Sequence, residues 1–339
     1  MKIALSFRTK DGPWGGGNQF VKYFSEFLKK KNHNITFDLK QKDIDIILLL
    51  DPRKKNITRS FNASHIVRYI LFTNPNAIVV HRINECDERK NTKFINQMLK
   101  RSNYVADHTV FIASWLKDLD LWCAKKSYSV IFNGADERIF QNKSENWNRN
   151  KKLKIITHHW GGHWMKGFDI YKKLDNLLDK PEWKNQIEFT YIGNLAPGVN
   201  FKNTKVIQPL VGEKLAETIN LHHLYLSASI NEPGGMHHIE GALCGLPVLY
   251  RLSGSLEEYN RDFGLGFNDF EEMIIAIKQI MNDYPFYKLK MKKYNCTAKN
   301  MSISYLKLFE DLMKDKKNII ENRNFYEKPW LLLRNQIPF

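Results

Sequence analysis

Short apolar runs alternate along the chain with stretches whose apolar positions recur every three or four residues. The first run, Lys2 to Phe7, reads as a buried strand. A glycine-rich segment follows, Asp11 to Gln19, with Gly15, Gly16 and Gly17 at its centre. Beyond it Phe20, Val21, Phe24, Phe27 and Leu28 form one stripe of a helix that ends near Lys30. Ile35 to Leu39 and Ile44 to Leu50 read as strands. The second is apolar on both faces apart from Asp45, as parallel strands tend to be. Phe61 to Leu71 predicts a helix, Ala77 to Arg82 a strand, Thr92 to Arg101 a helix and Asp107 to Ala113 a strand. Ser114 is a candidate N-cap for the next helix, and Ser129 to Phe132 is the last strand of this half. The polar segment Gln141 to Lys152 reads as a linker.

The pattern then restarts. Leu153 to Thr157 is a strand, His158 to Phe168 a second glycine-containing loop, and a helix follows. Phe189 to Gly193 and Lys205 to Ile207 are strands, and a helix runs from Glu213 to about Leu221. His223 to Ser227 reads as a strand edge and Met236 to Cys244 as a helix, with Gly245 as its C′ stop. Pro247 to Tyr250 is a short buried strand. Phe270 to Met281, Tyr284 to Thr297 and Ile303 to Lys314 have helical periodicity. Strand, glycine loop, helix is the opening unit of a nucleotide-binding α/β domain. Two such openings, at residues 2 and 153, predict two tandem Rossmann-like domains. The first loop has Phe20 where the last glycine of G-x-G-x-x-G would stand, so a dinucleotide fingerprint is absent.

The most informative stretch is Ser229 to Glu258. Glu232 precedes a Pro-Gly-Gly turn, and Glu240 follows with seven residues between the two acids. Gly234 and Gly235 let the chain turn into the helix and let a ligand approach the backbone. The first helix amides, at Met236 and His237, have no intrahelical partners and carry the positive end of the dipole, which suits an anion. Glu240, about one turn further in, reaches a neutral hydroxyl pair such as a ribose diol. Phosphate and diol side by side describe a nucleotide sugar. Ser253-Gly254-Ser255 adds a second amide nest for an anion.

Glu232 and Glu240 at this spacing, followed by Gly245-Leu246-Pro247-Val248, resemble the E-x7-E signature of retaining GT-B glycosyltransferases. Asn133-Gly134-Ala135-Asp136 resembles the turn before the interdomain linker of that family, and Thr109 to Leu116 resembles another of its segments. The stretch His81 to Lys90 resembles one found in some bacterial sugar transferases of the same broad family. The resemblance implies an α/β GT-B fold of two Rossmann-like domains facing a central cleft. Residues 1–148 would form the acceptor domain and 149–314 the donor domain. The tail, 315–339, would pack on the first domain, to which a C-terminal helix crosses back.

It further implies catalytic roles for Lys166, Glu232 and His81. Donor contacts would come from Glu240, Gly234, Gly235, Met236, His237, Gly16, Gly17, Val211, Ser253 and Arg251, and acceptor contacts from Asp87 and Asn84. Lys166-Gly167 match the family's phosphate loop, but its usual arginine is missing. His158, His159, His163 or Arg251 are the candidates to replace it. No metal or other cofactor is expected, with a UDP- or GDP-linked sugar as substrate and a glycan or lipid-linked acceptor.

Composition narrows the partners. The chain has 339 residues, 43% of them hydrophobic, and a formal charge of +16. That length accommodates two cores, and the charge favours anionic partners. No long basic block is present, which disfavours a nucleic-acid tail. A nucleotide diphosphate or an anionic membrane surface at the inner leaflet fits better. The four cysteines lack C-x-x-C spacing, so zinc and redox-pair readings are set aside. The start of the chain is too short in apolar residues for a signal peptide, and no run is long enough to span a bilayer, so a cytoplasmic protein is expected. A sugar-nucleotide epimerase on the same scaffold and a non-catalytic nucleotide-sugar or carbohydrate-binding protein stay open beside the transferase.

Overall fold

The computed structural model describes residues 1–10, 15–53, 56–124, 126–323 and 329–335. Four residues of the first glycine-rich loop, 11–14, and parts of the C-terminal tail lie outside them.

The chain divides into two compact units, Met1–Phe132 with Ala298–Phe339, and Asn133–Thr297. In the first, strands β1 (Lys2–Leu5), β2 (Asn34–Thr36), β3 (Ile46–Leu49), β4 (Ile78–Ile83), β5 (His108–Phe111) and β6 (Ser127–Val130) form a sheet in the order β2-β1-β3-β4-β5-β6. Every pairing in it is parallel. Helices α1 (Gly16–Lys30), α2 (Ala63–Phe72) and α3 (Ile95–Asn103) are its crossovers. Strands β3, β4 and β5 are buried along their whole length, because helices cover both faces of a doubly wound sheet.

The second unit repeats the plan. Strands β7 (Leu153–His159), β8 (Ile187–Gly193), β9 (Lys205–Ile207), β10 (Leu224–Ser227), β11 (Val248–Arg251) and β12 (Gly264–Phe267) run in the order β12-β11-β10-β7-β8-β9, again all parallel. Helices α4 (Phe168–Leu177), α5 (Pro181–Lys184), α6 (Gly212–Asn220), α7 (Met236–Leu243), α8 (Leu256–Asn260), α9 (Phe270–Asn282) and α10 (Tyr284–Lys290) accompany them. The strand order reverses between β7 and β10, and open α/β sheets bind ligands at the carboxyl ends of strands at such a switch point. The loops that follow those two strands carry Lys166 and Glu232.

Several expectations need correction. His223 to Ser227 is an interior strand, flanked by β7 and β11, rather than an edge. Ser114 does not cap an α-helix; it begins a short 3-10 turn, Ser114–Asp118, that has no side-chain cap. The stretch 284–297 is not one helix: α10 ends at Lys290, a 3-10 turn Met291–Lys293 follows, and Tyr294 is extended.

The expected boundaries also differ from the observed division, which falls at 132/133 rather than 148/149. Helix α11 (Ala298–Lys314) belongs to the first unit, not the donor domain. Its buried stripe, Ala298, Met301, Tyr305, Phe309 and Leu312, shares a core with Phe20, Val21, Phe24 and Leu28 of α1. The Tyr305 ring lies 5.3 Å from Phe20 and 5.4 Å from Phe24, distances at which aromatic rings attract beyond simple burial.

Helices α12 (Lys316–Glu321) and α13 (Pro329–Arg334) follow in the same unit. Arg323 joins them to the first sheet. It donates to Asp107 through Nε at 2.9 Å and Nη2 at 2.6 Å, and to the carbonyls of Pro75 and Ala77.

Candidate functional site

The site in the second unit is built around the end of β7 and the turn after β10. Gly167 takes φ +99°, and a Cβ there would meet the backbone of Ala228 at 2.6 Å. Glycine is therefore required where the β7–α4 loop closes onto the end of β10. The Ile230 amide donates to the Met165 carbonyl at 2.8 Å, fixing the two loops together. Lys166 is thereby set against Glu232, with Nζ 2.5 Å from Oε2, and the two side chains are only 8% and 3% exposed. Each charge offsets part of the other's desolvation, which neither would survive alone at low cost.

The turn at Ser253 to Ser255 packs on the backbone of Glu232. Gly254 has φ +62°, and a Cβ there would lie 2.5 Å from the Glu232 nitrogen. The Ser255 amide donates to the Glu232 carbonyl at 2.9 Å, and Ser253 Oγ accepts from the Asn231 amide at 2.9 Å. Asn231 itself sits at φ 50°, a conformation asparagine tolerates better than most residues. Ser253 thus shapes the Glu232 loop. Asn133 Nδ2 donates to the Gly234 carbonyl at 2.6 Å and holds the turn that leads into α7.

Helix α7 begins at Met236, with Gly235 as its N-cap, no side-chain cap and no acid in its first turn. Its leading amides and dipole make this an electropositive end. A Cβ on Gly235 would lie 2.5 Å from the His237 ring and 3.0 Å from the Glu232 carboxyl carbon, so glycine lets both side chains converge. Met236 is half-buried and His237 buried, with His237 Nε2 2.9 Å from Ser227 Oγ.

One turn on, Glu240 Oε2 lies 2.6 Å from His158 Nε2. His158 Nδ1 is 3.0 Å from the Tyr225 hydroxyl, which also accepts the His158 amide at 3.2 Å. Burial raises the Tyr225 phenol well above its ordinary value, so it carries its proton. The His158 ring thus lies between that phenol, at Nδ1, and the Glu240 carboxylate, which accepts from Nε2.

Three further histidines of this site are held neutral by burial. Burial, then the Lys166 charge, holds His159 well below the ordinary histidine range; burial, then His159, does the same to His237. Their rings lie 4.5 Å apart. Burial also lowers His238 to about 4.

The histidines proposed to replace the missing arginine are therefore engaged elsewhere. His158 is committed to Glu240, and His159 Nε2 lies 2.9 Å from the Tyr171 hydroxyl. Arg251 is buried and paired with Asp169 of α4. It braces that helix, which argues against a phosphate contact. His163 is half-buried and has partners of its own. Val211 is 44% exposed and precedes α6 without capping it. Among the described residues no group of three or more His, Cys, Asp or Glu side chains is placed to hold a metal ion.

In the first unit Gly16 and Gly17 begin α1. A Cβ on Gly17 would meet nothing within 4 Å, so no protein neighbour requires glycine there. The Asn18 side chain closes the loop on Lys10, accepting from its amide at 2.8 Å and donating to its carbonyl at 2.9 Å.

His81 and Asp87 have structural surroundings. His81 is fully buried in β4, near Asn103, and burial lowers it to about 3. The His81 side chain has no exposed surface, and its Nε2 is buried without a hydrogen-bond partner among the described residues. Asp87 accepts from Thr92 Oγ1 and from the amides of Phe94, Ile95 and Asn96. Burial opposes its charge, but these four bonds hold the carboxyl below the usual range. It fastens the start of α3, which leaves it ill suited to an acceptor. Asn84 is half-buried after β4.

The groups missed by sequence reading are Tyr225 and Asn231, a strand tyrosine and a loop asparagine with no local pattern that distinguishes them; Asn133 is legible only as part of the turn before the linker.

No family model matches the chain, and no curated protein matches it. Solved structures do. Sucrose-phosphate synthase from Thermosynechococcus elongatus superposes with a TM-score of 0.65 at 13% identity, over 92% of this chain and 99% of that one. Anabaena Alr3699/HepE in complex with UDP gives 0.65 at 12% identity, over 92% and 100%. The catalytic domain of starch synthase IV from Arabidopsis thaliana, bound to ADP and acarbose, gives 0.65 at 10% identity, over 92% and 99%. With its two six-stranded parallel sheets, this chain has the two-domain, Rossmann-like GT-B fold of those glycosyltransferases.

Proposed function

We propose that the protein is a glycosyltransferase of the retaining E-x7-E type. It moves a sugar from a UDP- or GDP-linked donor to a glycan or lipid-linked acceptor. The reading is carried by one observation. A buried lysine–glutamate pair and a buried carboxylate one helical turn beyond a free helix start converge at the switch point of the second sheet. The similar structures bound to UDP, to UDP and glucose, and to ADP support a nucleotide-sugar donor.

In this reading the bond from the anomeric carbon to the diphosphate breaks, a bond to the acceptor oxygen forms, and the acceptor hydroxyl passes its proton to the leaving diphosphate. Negative charge grows on the leaving diphosphate, and fixed donors aimed at growing charge contribute most to such a reaction. The Lys166 ammonium and the first amides of α7 supply them, without a metal. Glu232 stands beside the donor sugar and Glu240 on the ribose. The basic surface adds attraction to an anionic leaflet where lipid-linked acceptors lie. Among the described residues no helix is long and apolar enough to cross a membrane.

The test is a panel of UDP-, GDP- and ADP-sugars, measured for saturable binding and slow hydrolysis with and without EDTA. Binding confined to one base class and indifferent to EDTA is expected. Absence of affinity for every member would refute the reading.

A further inference from the structure

Glu240 is held by two residues that its own helix does not supply. His158 is the next-to-last residue of β7 and Tyr225 lies in β10, and the chain Tyr225 hydroxyl, His158 ring, Glu240 carboxylate runs at 3.0 and 2.6 Å. A second observation shows that the arrangement is built. A Cβ on Gly241 would lie 2.1 Å from the Tyr225 ring, so α7 can approach that ring only because the residue after Glu240 has no side chain. The His158 and Glu240 side chains are 10% and 12% exposed. Among the described residues the Glu240 carboxylate has no other hydrogen-bond partner, so Oε1 is the oxygen left for a ligand.

We infer that His158 is a positioning residue for Glu240, and that the Tyr225–His158–Glu240 chain makes the site selective for a ribonucleotide over a deoxyribonucleotide. The inference rests on the proposed function, in which Glu240 binds the donor's diol. The physical basis is preorganisation. A carboxylate has two equivalent oxygens and free rotation about its last bonds. Tying Oε2 to an N–H fixed by a buried phenol leaves one oxygen, in one orientation, for a hydroxyl. A diol that fills it gains a charge-assisted hydrogen bond. An analogue lacking that hydroxyl leaves a largely buried carboxylate oxygen without a partner, which is the stronger source of discrimination.

The test measures dissociation constants for UDP, GDP and ADP and for their 2′-deoxy and 3′-deoxy forms. Wild type, Glu240→Ala, His158→Leu, His158→Gln and Tyr225→Phe are compared, with thermal melting of each protein. For the base that binds, wild type should prefer the ribo form roughly tenfold or more, the scale of a hydrogen bond to a charged group. Glu240→Ala should abolish that preference. His158→Leu should reduce it to near the Glu240→Ala value, whereas His158→Gln, which can still present an N–H, should recover much of it. Tyr225→Phe should fall between, and it serves as the deciding variant if His158→Leu does not fold.

A purely structural role would lower the melting temperature of the His158 and Tyr225 variants and leave the ribo preference intact, and that result overturns the inference. Loss of preference in Glu240→Ala with none in the His158 and Tyr225 variants overturns it as well, while the proposed function stands. An unchanged preference in Glu240→Ala would instead overturn the diol role of Glu240, and the inference with it.

Discussion

Lys166 Nζ and Glu232 Oε2 are 2.5 Å apart in side chains with almost no exposed surface, and they come from loops after two adjacent parallel strands. The pair is both structural and chemical. It closes the second unit's switch point, and it keeps an ammonium against the loop that leads into α7. Removing either member leaves the other desolvated beside a group that no longer balances it.

Lys166→Met should therefore destabilise the protein by about 3–5 kcal/mol, the cost of breaking a buried pair from one side. Glu232→Gln should cost less, because the amide still accepts a hydrogen bond. The double variant should recover part of the loss, since residues in contact do not act additively. Denaturant midpoints for the four proteins check this, and simple additivity of the two single losses would show that the contact carries no coupling.

Acid should unfold the protein earlier than its carboxylates alone require. Burial lowers His222 and His238 to about 4, and lowers His159 and His237 well below 6.5. Between pH 6.5 and about 4 the unfolded chain binds these protons and the folded chain does not. Stability is therefore fully present above pH 6.5 and falls as pH drops toward 4, by as much as roughly 3 kcal/mol for His222 and for His238. At His222 burial prevails even though Nδ1 donates to the Thr218 carbonyl at 2.8 Å, a bond that by itself favours the charged ring. Urea midpoints at pH 7.5, 6.5, 5.5 and 4.5 should decline steadily below 6.5; a flat profile down to 5 would contradict the assignment.

Arg323 should act as the latch of the C-terminal segment. Its guanidinium is 6% exposed and its partner Asp107 5% exposed, and Asp107 also accepts from the Val79 amide at 2.8 Å. Arg323→Ala should cost about 3–5 kcal/mol, as for any buried pair broken from one side. It should also open the segment from α12 onward to protease. Limited proteolysis and a melting curve read both effects, and an unchanged digestion pattern would count against the latch.

How much of this is legible in the sequence depends on the range of the interaction. Glu232, Gly234, Gly235 and Glu240 share one turn and one helix, so their spacing carries their geometry. Lys166 is legible from the lysine–glycine step after a strand. The aromatic stripe of α11 is visible too, but the stripe does not say which surface it covers, and periodicity alone places the helix in the wrong unit. His81 and Asp87 show the same limit. Polar residues within and just after β4 look alike in the sequence whether they face solvent or turn inward, as His81 does toward Asn103. Arg251 looks like a free cation because Asp169 lies 82 positions away.

Order along the chain thus determined the alternation of strands and helices, the two repeated openings and the acid pair. Each depends on periodicity or on neighbours within a turn or two, where the backbone alone fixes who meets whom. Only the tertiary structure decided that His158 belongs to Glu240, that Tyr225 meets its other ring nitrogen, and that Arg323 belongs to Asp107. Those partners meet because parallel strands and crossover helices bring distant segments side by side. No local rule of spacing encodes which buried donor will face which buried acceptor.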